Sequence, residues 1–348
     1  MKRGIALLSR LMLVTALLFF CLLFGGCTAR QTSSQQRYTA TFLEFFDTVT
    51  TVLGYAASEE AFENDVQAIR EEMKRYHELF DIYNDYAVPN LKTVNDHAGV
   101  KPVKVDAEII EFLKDCREYY RLTDGAVNVM MGSVLKLWHD ARTDAERDPA
   151  NAAIPSEAEL KAAAEHISME LLVIDEIAGT VYLSDANARL DVGAIAKGWA
   201  TQKVAERAPE GMLISVGGNV CATGPKAGDA PWVVGIQDPD DAEKNLCTIT
   251  LSTGSVVTSG DYQRTYRVDG KEYHHIIDPQ TLLPARNWQS VSIVCDDSGL
   301  ADALSTALFV FDRTQGEALA ARYGADVLWV DANGQEYRTA GFDKRLRK

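Results

Sequence analysis

Residues 190 to 200 read Leu-Asp-Val-Gly-Ala-Ile-Ala-Lys-Gly-Trp-Ala, which sets a carboxylate, a small-residue turn and a lysine within one strand-to-helix junction. Asp191 can hold a polar ligand group, Gly193 and Ala194 let backbone approach it, and a helix opening near Ile195 aims its free N–H groups and positive dipole end at an anion. That is the chemistry of a phosphate site, although a purely structural strand-turn-helix uses the same residue types. A second block, Thr258-Ser-Gly-Asp-Tyr262 followed by Tyr273-His-His-Ile-Ile-Asp-Pro279, reads as a turn into a hairpin whose return strand ends in His274, His275 and Asp278. A third, Ala301-Asp-Ala-Leu-Ser-Thr-Ala307, opens an apolar helix. Asp302 and Thr306 are four apart and share one helical face, where carboxylate and hydroxyl can converge on a hard cation; a backbone carbonyl from the Gly193-Ala194 turn would add a third oxygen. An Asp this close to a helix start is equally a common cap.

Together with Val216-Gly-Gly-Asn219, these blocks resemble the FAD:protein FMN transferases, the ApbE-like family of bacterial flavin transferases, in the family's own order and over most of residues 42 to 330. The resemblance implies a single large ApbE-like (T-fold-like) catalytic domain. It implies metal ligation by Asp302, Thr306 and the backbone oxygen of Ala194, and all-oxygen ligation points to Mg²⁺, since zinc would recruit His or Cys. Asp191 and Lys197 then fall on flavin-nucleotide contacts; without the motif they read as an N-cap and a solvated helix lysine. His275 matches the family run, with Ile276 beside it, and would contact flavin or phosphate or assist proton transfer, as would Asp261 in the preceding block. Strand alternation turns His274 to the opposite face. Trp138-His139-Asp140 corresponds to a family stretch lining the flavin site, but departs from the commoner form with Gly after Trp. Tyr83 in Phe80-Asp-Ile-Tyr83 matches an aromatic near the isoalloxazine, and Phe46 stands where many members have Met. Aromatics at such spacings also simply build cores. His77, His97 and His166 read as surface or helix-face residues.

The reaction so implied is Mg²⁺-dependent transfer of the FMN part of FAD to a Thr or Ser hydroxyl of an exported or membrane redox subunit, with release of AMP; FAD is donor substrate. Hydrolysis of FAD to FMN and AMP at the same site is one alternative. A lipid-anchored solute- or flavin-binding protein without catalysis is another.

Lys2, Arg3 and Arg10, an apolar run from Leu11 to Phe24, and Gly25-Gly26-Cys27 describe a secretory signal with a lipobox. Cys27 is then the lipidated mature N-terminus, and the body is anchored to the cell membrane on the extracytoplasmic side. Phe24 replaces the Leu usually found three residues before such a cysteine, and an uncleaved membrane anchor remains the alternative. The segments expected are a signal over 1–26, the lipidated Cys and a polar tether over 27–41, the catalytic domain over 42–342 and a basic tail over 343–348. As a flexible coil the ten residues from 28 to 37 reach on the order of 17 Å. A net charge of −15 disfavours nucleic acid as a partner, because phosphate backbones need clustered cations. Cys116, Cys221, Cys247 and Cys295 have neither Cys-x-x-Cys nor zinc-like spacing; they read as buried thiols, and a disulfide among them is not identified by spacing.

The elements that must carry these groups read as α+β: mixed, mainly antiparallel sheets with flanking helices. Phe42 to Tyr55 is rich in strand formers. Ser58 caps a helix whose Phe62, Val66, Ile69, Met73, Tyr76 and Phe80 recur at three-to-four spacing. A second helix starts near Asp106 and stops at Thr123-Asp-Gly125, and Ser156 with Glu159 forms a capping box for a third. From Leu171 onward short strands dominate, interrupted by helices near Ala196 to Arg207 and Leu300 to Phe311, and an Asn333-Gly334 turn joins the last pair. Long helices early and hairpin-linked strands later argue for α+β architecture.

Overall fold

The computed structural model describes residues 35–262 and 264–347. The signal and Cys27 therefore lie outside the described residues. The chain opens with β1 (Gln36–Phe42) and β2 (Thr50–Ala56), then α1 (Glu59–Phe80), α2 (Leu91–Asp96), β3 (Val103–Lys104), α3 (Ala107–Leu122), α4 (Gly132–Arg147) and α5 (Glu157–Ala164). Strands β4 (Leu172–Asp175) and β5 (Thr180–Leu183) precede α6 (Ala196–Arg207). There follow β6 (Leu213–Val216), β7 (Asn219–Ala222), β8 (Trp232–Asp238), β9 (Asp241–Leu251), β10 (Gly254–Gly260), β11 (Tyr266–Val268), β12 (Lys271–Tyr273) and β13 (Ser290–Cys295). The chain closes with α7 (Ser298–Val310), α8 (Arg313–Arg322), β14 (Asp326–Val330), β15 (Glu336–Arg338) and α9 (Ala340–Arg345).

Local chemistry sets the helix ends. The Ser58 hydroxyl accepts the Ala61 N–H at 3.2 Å, and the apolar stripe of α1 from Phe62 to Phe80 is buried. At α5 the Ser156 hydroxyl accepts the Glu159 N–H while the Glu159 carboxylate accepts the Ser156 N–H, a reciprocal cap. Helix α7 is apolar nearly all round, and such a helix is stable only when covered on every side. It packs on α6, β10 and β13, and its Ala301, Leu304 and Leu308 join the main core.

Eight strands make one antiparallel sheet in the order β1-β2-β6-β7-β10-β13-β14-β15. Alternation assigns its faces. Val257, Val291, Ile293, Val327 and Trp329 join the core shared with α1, α3, α6 and α7, whereas Val256, Val294, Leu328 and Val330 face the β8–β9 hairpin. A sheet covered on both faces explains why Val327 to Val330 reads as an unbroken apolar run.

The structure corrects two boundaries. The polar stretch expected to end as a tether at residue 41 is in sheet from Gln36, with Gln36 paired to Ala56 and Phe42 to Thr50. Only alternate residues, Tyr38, Ala40 and Phe42, meet the core, and polar partners between them hide that period. Nor is 343–348 a free basic tail. Arg345 pairs with Asp326 at 2.6 Å, Leu346 bridges to Ile249, and the Arg347 N–H donates to the Thr248 carbonyl at 2.9 Å.

Candidate active site

Where α6 and α7 cross, Asp302 lies buried at the floor of a cavity of about 470 Å³. It is not a cap of its own helix; Asp297 does that, accepting the Leu300 N–H at 2.7 Å. Instead the Asp302 Oδ2 accepts the Gly198 N–H of α6 at 2.8 Å. Helix α6 has no side-chain cap of its own, because Ile195 occupies that position. A carboxylate from α7 thus answers the free donors and positive dipole end of α6. Burial raises the Asp302 pKa above the ordinary carboxylate value, while nearby Lys197, the Gly198 N–H and the facing Asn219 amide pull it back.

Asn219 is brought there by the Gly217-Gly218 turn between β6 and β7. Gly217 has φ of 53°, and a Cβ on it would lie closer than 3.0 Å to Thr48, so no other residue fits. The Asn219 Nδ2 is buried without a hydrogen-bond partner of good geometry. The same cavity is lined by Thr306, one turn along α7 from Asp302, and by the Ala194 turn, where Asp191 Oδ1 accepts the Gly193 N–H at 3.0 Å and the Lys197 ammonium donates to the Gly193 carbonyl at 3.4 Å. The floor therefore offers one buried carboxylate, a hydroxyl, backbone carbonyls and a lysine. Among the described residues no group of three or more His, Cys, Asp or Glu is gathered to hold a metal.

The walls are aromatic. The Trp138 ring stacks on Tyr273 at 5.9 Å and its Nε1 donates to the Leu282 carbonyl at 3.0 Å, fixing the indole. Tyr83 stacks on His139 at 5.5 Å yet stays 53% exposed. Phe46 lines the cavity with φ of 55°. His274 and His275 both lie just past β12 and both line the cavity, so the strand alternation expected to turn His274 to the opposite face does not separate them; they differ in burial. His274 is buried; its Nε2 donates to the Ala285 carbonyl at 2.7 Å, its Nδ1 accepts the Ile276 N–H, and burial lowers its pKa to about 4, so it stays neutral. His275 is exposed and, like Ile276, lines the cavity.

Eleven of the residues expected at the site line this one cavity: Phe46, Tyr83, Trp138, His139, Asp191, Ala194, Lys197, His275, Ile276, Asp302 and Thr306. Asp140 and Asp261 do not. Asp140 points away along α4 and pairs with Lys136. Asp261 lies just beyond the cavity-lining Gly260, half-buried, its pKa pushed up to about 6 by burial and by Glu272. The cavity also holds residues the sequence reading passed over, chiefly His77, Arg142 and Arg264. Arg142 was the most findable, since it sits four residues after Trp138 and three after His139 on one helical face. The four cysteines of the body are free.

An aromatic-walled cleft of nucleotide size, with a carboxylate, a lysine and a helix N-terminus at its floor, defines a nucleotide-handling site on an antiparallel α+β scaffold. The chain belongs to the ApbE family, whose model matches residues 46–329. It is 34% identical over 277 residues to an FAD:protein FMN transferase of Treponema pallidum, covering 74% of this chain and 75% of that one. A similarly named protein of Klebsiella pneumoniae is 30% identical over 268 residues, covering 75% and 80%. Among solved structures, an ApbE protein from Thermotoga maritima superposes with a TM-score of 0.79 at 32% identity, over 90% of this chain and all of that one. The flavin transferase ApbE of Vibrio cholerae shares the fold at a TM-score of 0.73 and 24% identity, over 90% and 100% of the two chains.

Proposed function

We propose that this protein transfers the FMN moiety of FAD to a Thr or Ser hydroxyl of a redox protein. The observation that carries the reading is the convergence, in one cavity, of the Asp302, Thr306, Ala194 and Lys197 floor with the Phe46, Tyr83 and Trp138 walls. The acceptor hydroxyl oxygen forms a bond to the FMN phosphorus of FAD, the bond from that phosphorus to the bridging oxygen breaks, and AMP leaves with that oxygen. Lys197 and the N-terminal turn of α6 orient the diphosphate, the aromatic walls hold the ring system and exclude water, and His275 takes the hydroxyl proton.

The donor set suits Mg²⁺: a desolvated carboxylate with one oxygen already engaged, beside a hydroxyl and a carbonyl, is an incomplete oxygen shell of the kind that ion fills with waters and phosphate oxygens. When bound by Asp302, Thr306 and the Ala194 carbonyl, the ion supplies charge neutralisation to the diphosphate. Incubation with FAD, Mg²⁺ and candidate envelope redox proteins should release AMP and add an FMN-sized mass to one of them. FAD returned intact would make the protein a binder, and AMP with free FMN but no mass increment would make it a hydrolase.

The charged, apolar and Gly-Gly-Cys succession of residues 2 to 27 supports lipid anchoring through Cys27 on the extracytoplasmic face, where an exported acceptor would be met. Cys27→Ser should move the protein from the membrane to the soluble fraction with its FAD turnover intact. Retention of the variant in membranes would replace the lipid anchor by an uncleaved apolar helix.

A further inference from the structure

One wall of the cavity is built from a backbone conformation that side-chain-bearing residues disfavour. Phe46 and Asp47 sit in tandem in the left-handed region, with φ of 55° and 50°, and both line the cavity. Such a corner persists only where its surroundings hold it. The Phe46 N–H donates to His77 Nδ1 at 3.3 Å, and the imidazole meets the Phe46 ring edge-on at 5.5 Å. An Nδ1 that accepts leaves the proton on Nε2, which lies 3.4 Å from the Tyr86 hydroxyl. Tyr86 in turn donates to Asp81 Oδ2 at 3.0 Å. The direction of the chain is therefore fixed from Phe46 through His77 and Tyr86 to Asp81.

Asp81 also shapes the turn that carries Tyr83, a second aromatic of the cavity lining. It accepts the N–H groups of Tyr83 at 2.6 Å and Asn84 at 3.0 Å, and the Asn84 amide at 2.8 Å. Burial opposes its charge, but these bonds and that from Tyr86 outweigh it and hold the carboxyl below its ordinary pKa. Burial and Asp81 push the Tyr86 phenol up to about 12, which keeps it a donor. One carboxylate thus ends the relay from Phe46 and anchors the turn that presents Tyr83.

We propose that His77 is a positioning residue: through Tyr86 and Asp81 it locks the Phe46–Asp47 corner to the Tyr83 turn and so sets the relative placement of the Phe46 and Tyr83 rings for a planar ring system. This rests on the flavin-transfer reading above for the identity of the ring.

The test compares His77→Leu, His77→Asn and Tyr86→Phe by flavin fluorescence quenching, by FAD kinetics and by thermal midpoint. Asn keeps an acceptor at the Nδ1 position; Leu keeps bulk but accepts nothing. Leu should raise the dissociation constant and KM for FAD roughly tenfold, as loss of one hydrogen bond to a placed backbone group does. The kcat should change less than about twofold, since the floor is untouched. Asn should bind FAD close to wild type, and Tyr86→Phe should fall between. Equal behaviour of Leu and Asn, whether both harmless or both damaging, would overturn the relay. A wild-type protein that binds flavin but releases no AMP would instead overturn the transfer reading, leaving the quenching comparison to judge the relay alone.

Discussion

Asp302→Asn should abolish FAD turnover while making the ligand-free protein more resistant to heat. The substitution keeps the size of the side chain and an oxygen to accept the Gly198 N–H, so the α6–α7 crossing survives. What it removes is the buried charge at the cavity floor. A carboxylate that holds a cation against a diphosphate acts on the charge developing during transfer, and loss of such electrostatic help costs about 10²- to 10³-fold or more in kcat. The stability change has the opposite sign. Burial raises the Asp302 pKa in the folded state, so the folded protein binds a proton more tightly than the unfolded chain and loses stability as pH rises past the ordinary value of 3.8. Asn carries no such penalty. The thermal midpoint of the variant should exceed that of wild type at neutral pH without Mg²⁺, and the gap should close as pH falls below 3.8. Calorimetry across pH with a single AMP-release assay reads both effects. Wild-type turnover in the variant would remove Asp302 from the metal and nucleotide roles together.

The sequence carries this floor well because its chemistry is local. Ser58, Ser156 and the Gly193-Ala194 turn before Ile195 each signal a helix start within four residues, and α6 begins at Ala196, although the segment expected as a strand before it holds only an isolated bridge at Arg189. Asp302 and Thr306 are joined by helical periodicity alone. What the sequence could not resolve is direction over one or two residues. Along α4 each step turns the side chain by 100°, so His139 meets Tyr83 in the cavity while Asp140, the next residue, swings back to Lys136. Asp261 follows the last residue of β10, where the chain leaves the ladder and the alternation that would have aimed it no longer applies. His77 was hidden differently. Its helix has a plain amphipathic stripe, and its role depends on the β1–β2 loop arriving opposite it, a contact made across 31 residues of sequence.

The steric fit that places Asp302 gives the other large effect. Gly198→Ala in the first turn of α6 would, on helix propensity alone, gain about 1 kcal/mol. Packing reverses that sign. A Cβ on Gly198 would lie closer than 3.0 Å to both the Asp302 Cβ and the Ser298 carbonyl oxygen. Neither is the loose end of a flexible side chain: both belong to α7, whose buried residues meet the sheet behind them and leave no room to retreat. The helices must part, which stretches the Gly198–Asp302 bond and moves the carboxylate from the floor. Overpacking typically costs about 1–3 kcal/mol, and weakening a charged buried hydrogen bond about 1.5–3 more. Set against the propensity gain, the net loss should be on the order of 3 kcal/mol, or a fall in thermal midpoint of roughly 4–5 °C for a body of this size. FAD turnover per folded molecule should fall with it. A midpoint that rises would mean that α6 and α7 meet with slack, and that something other than this glycine contact sets the position of Asp302.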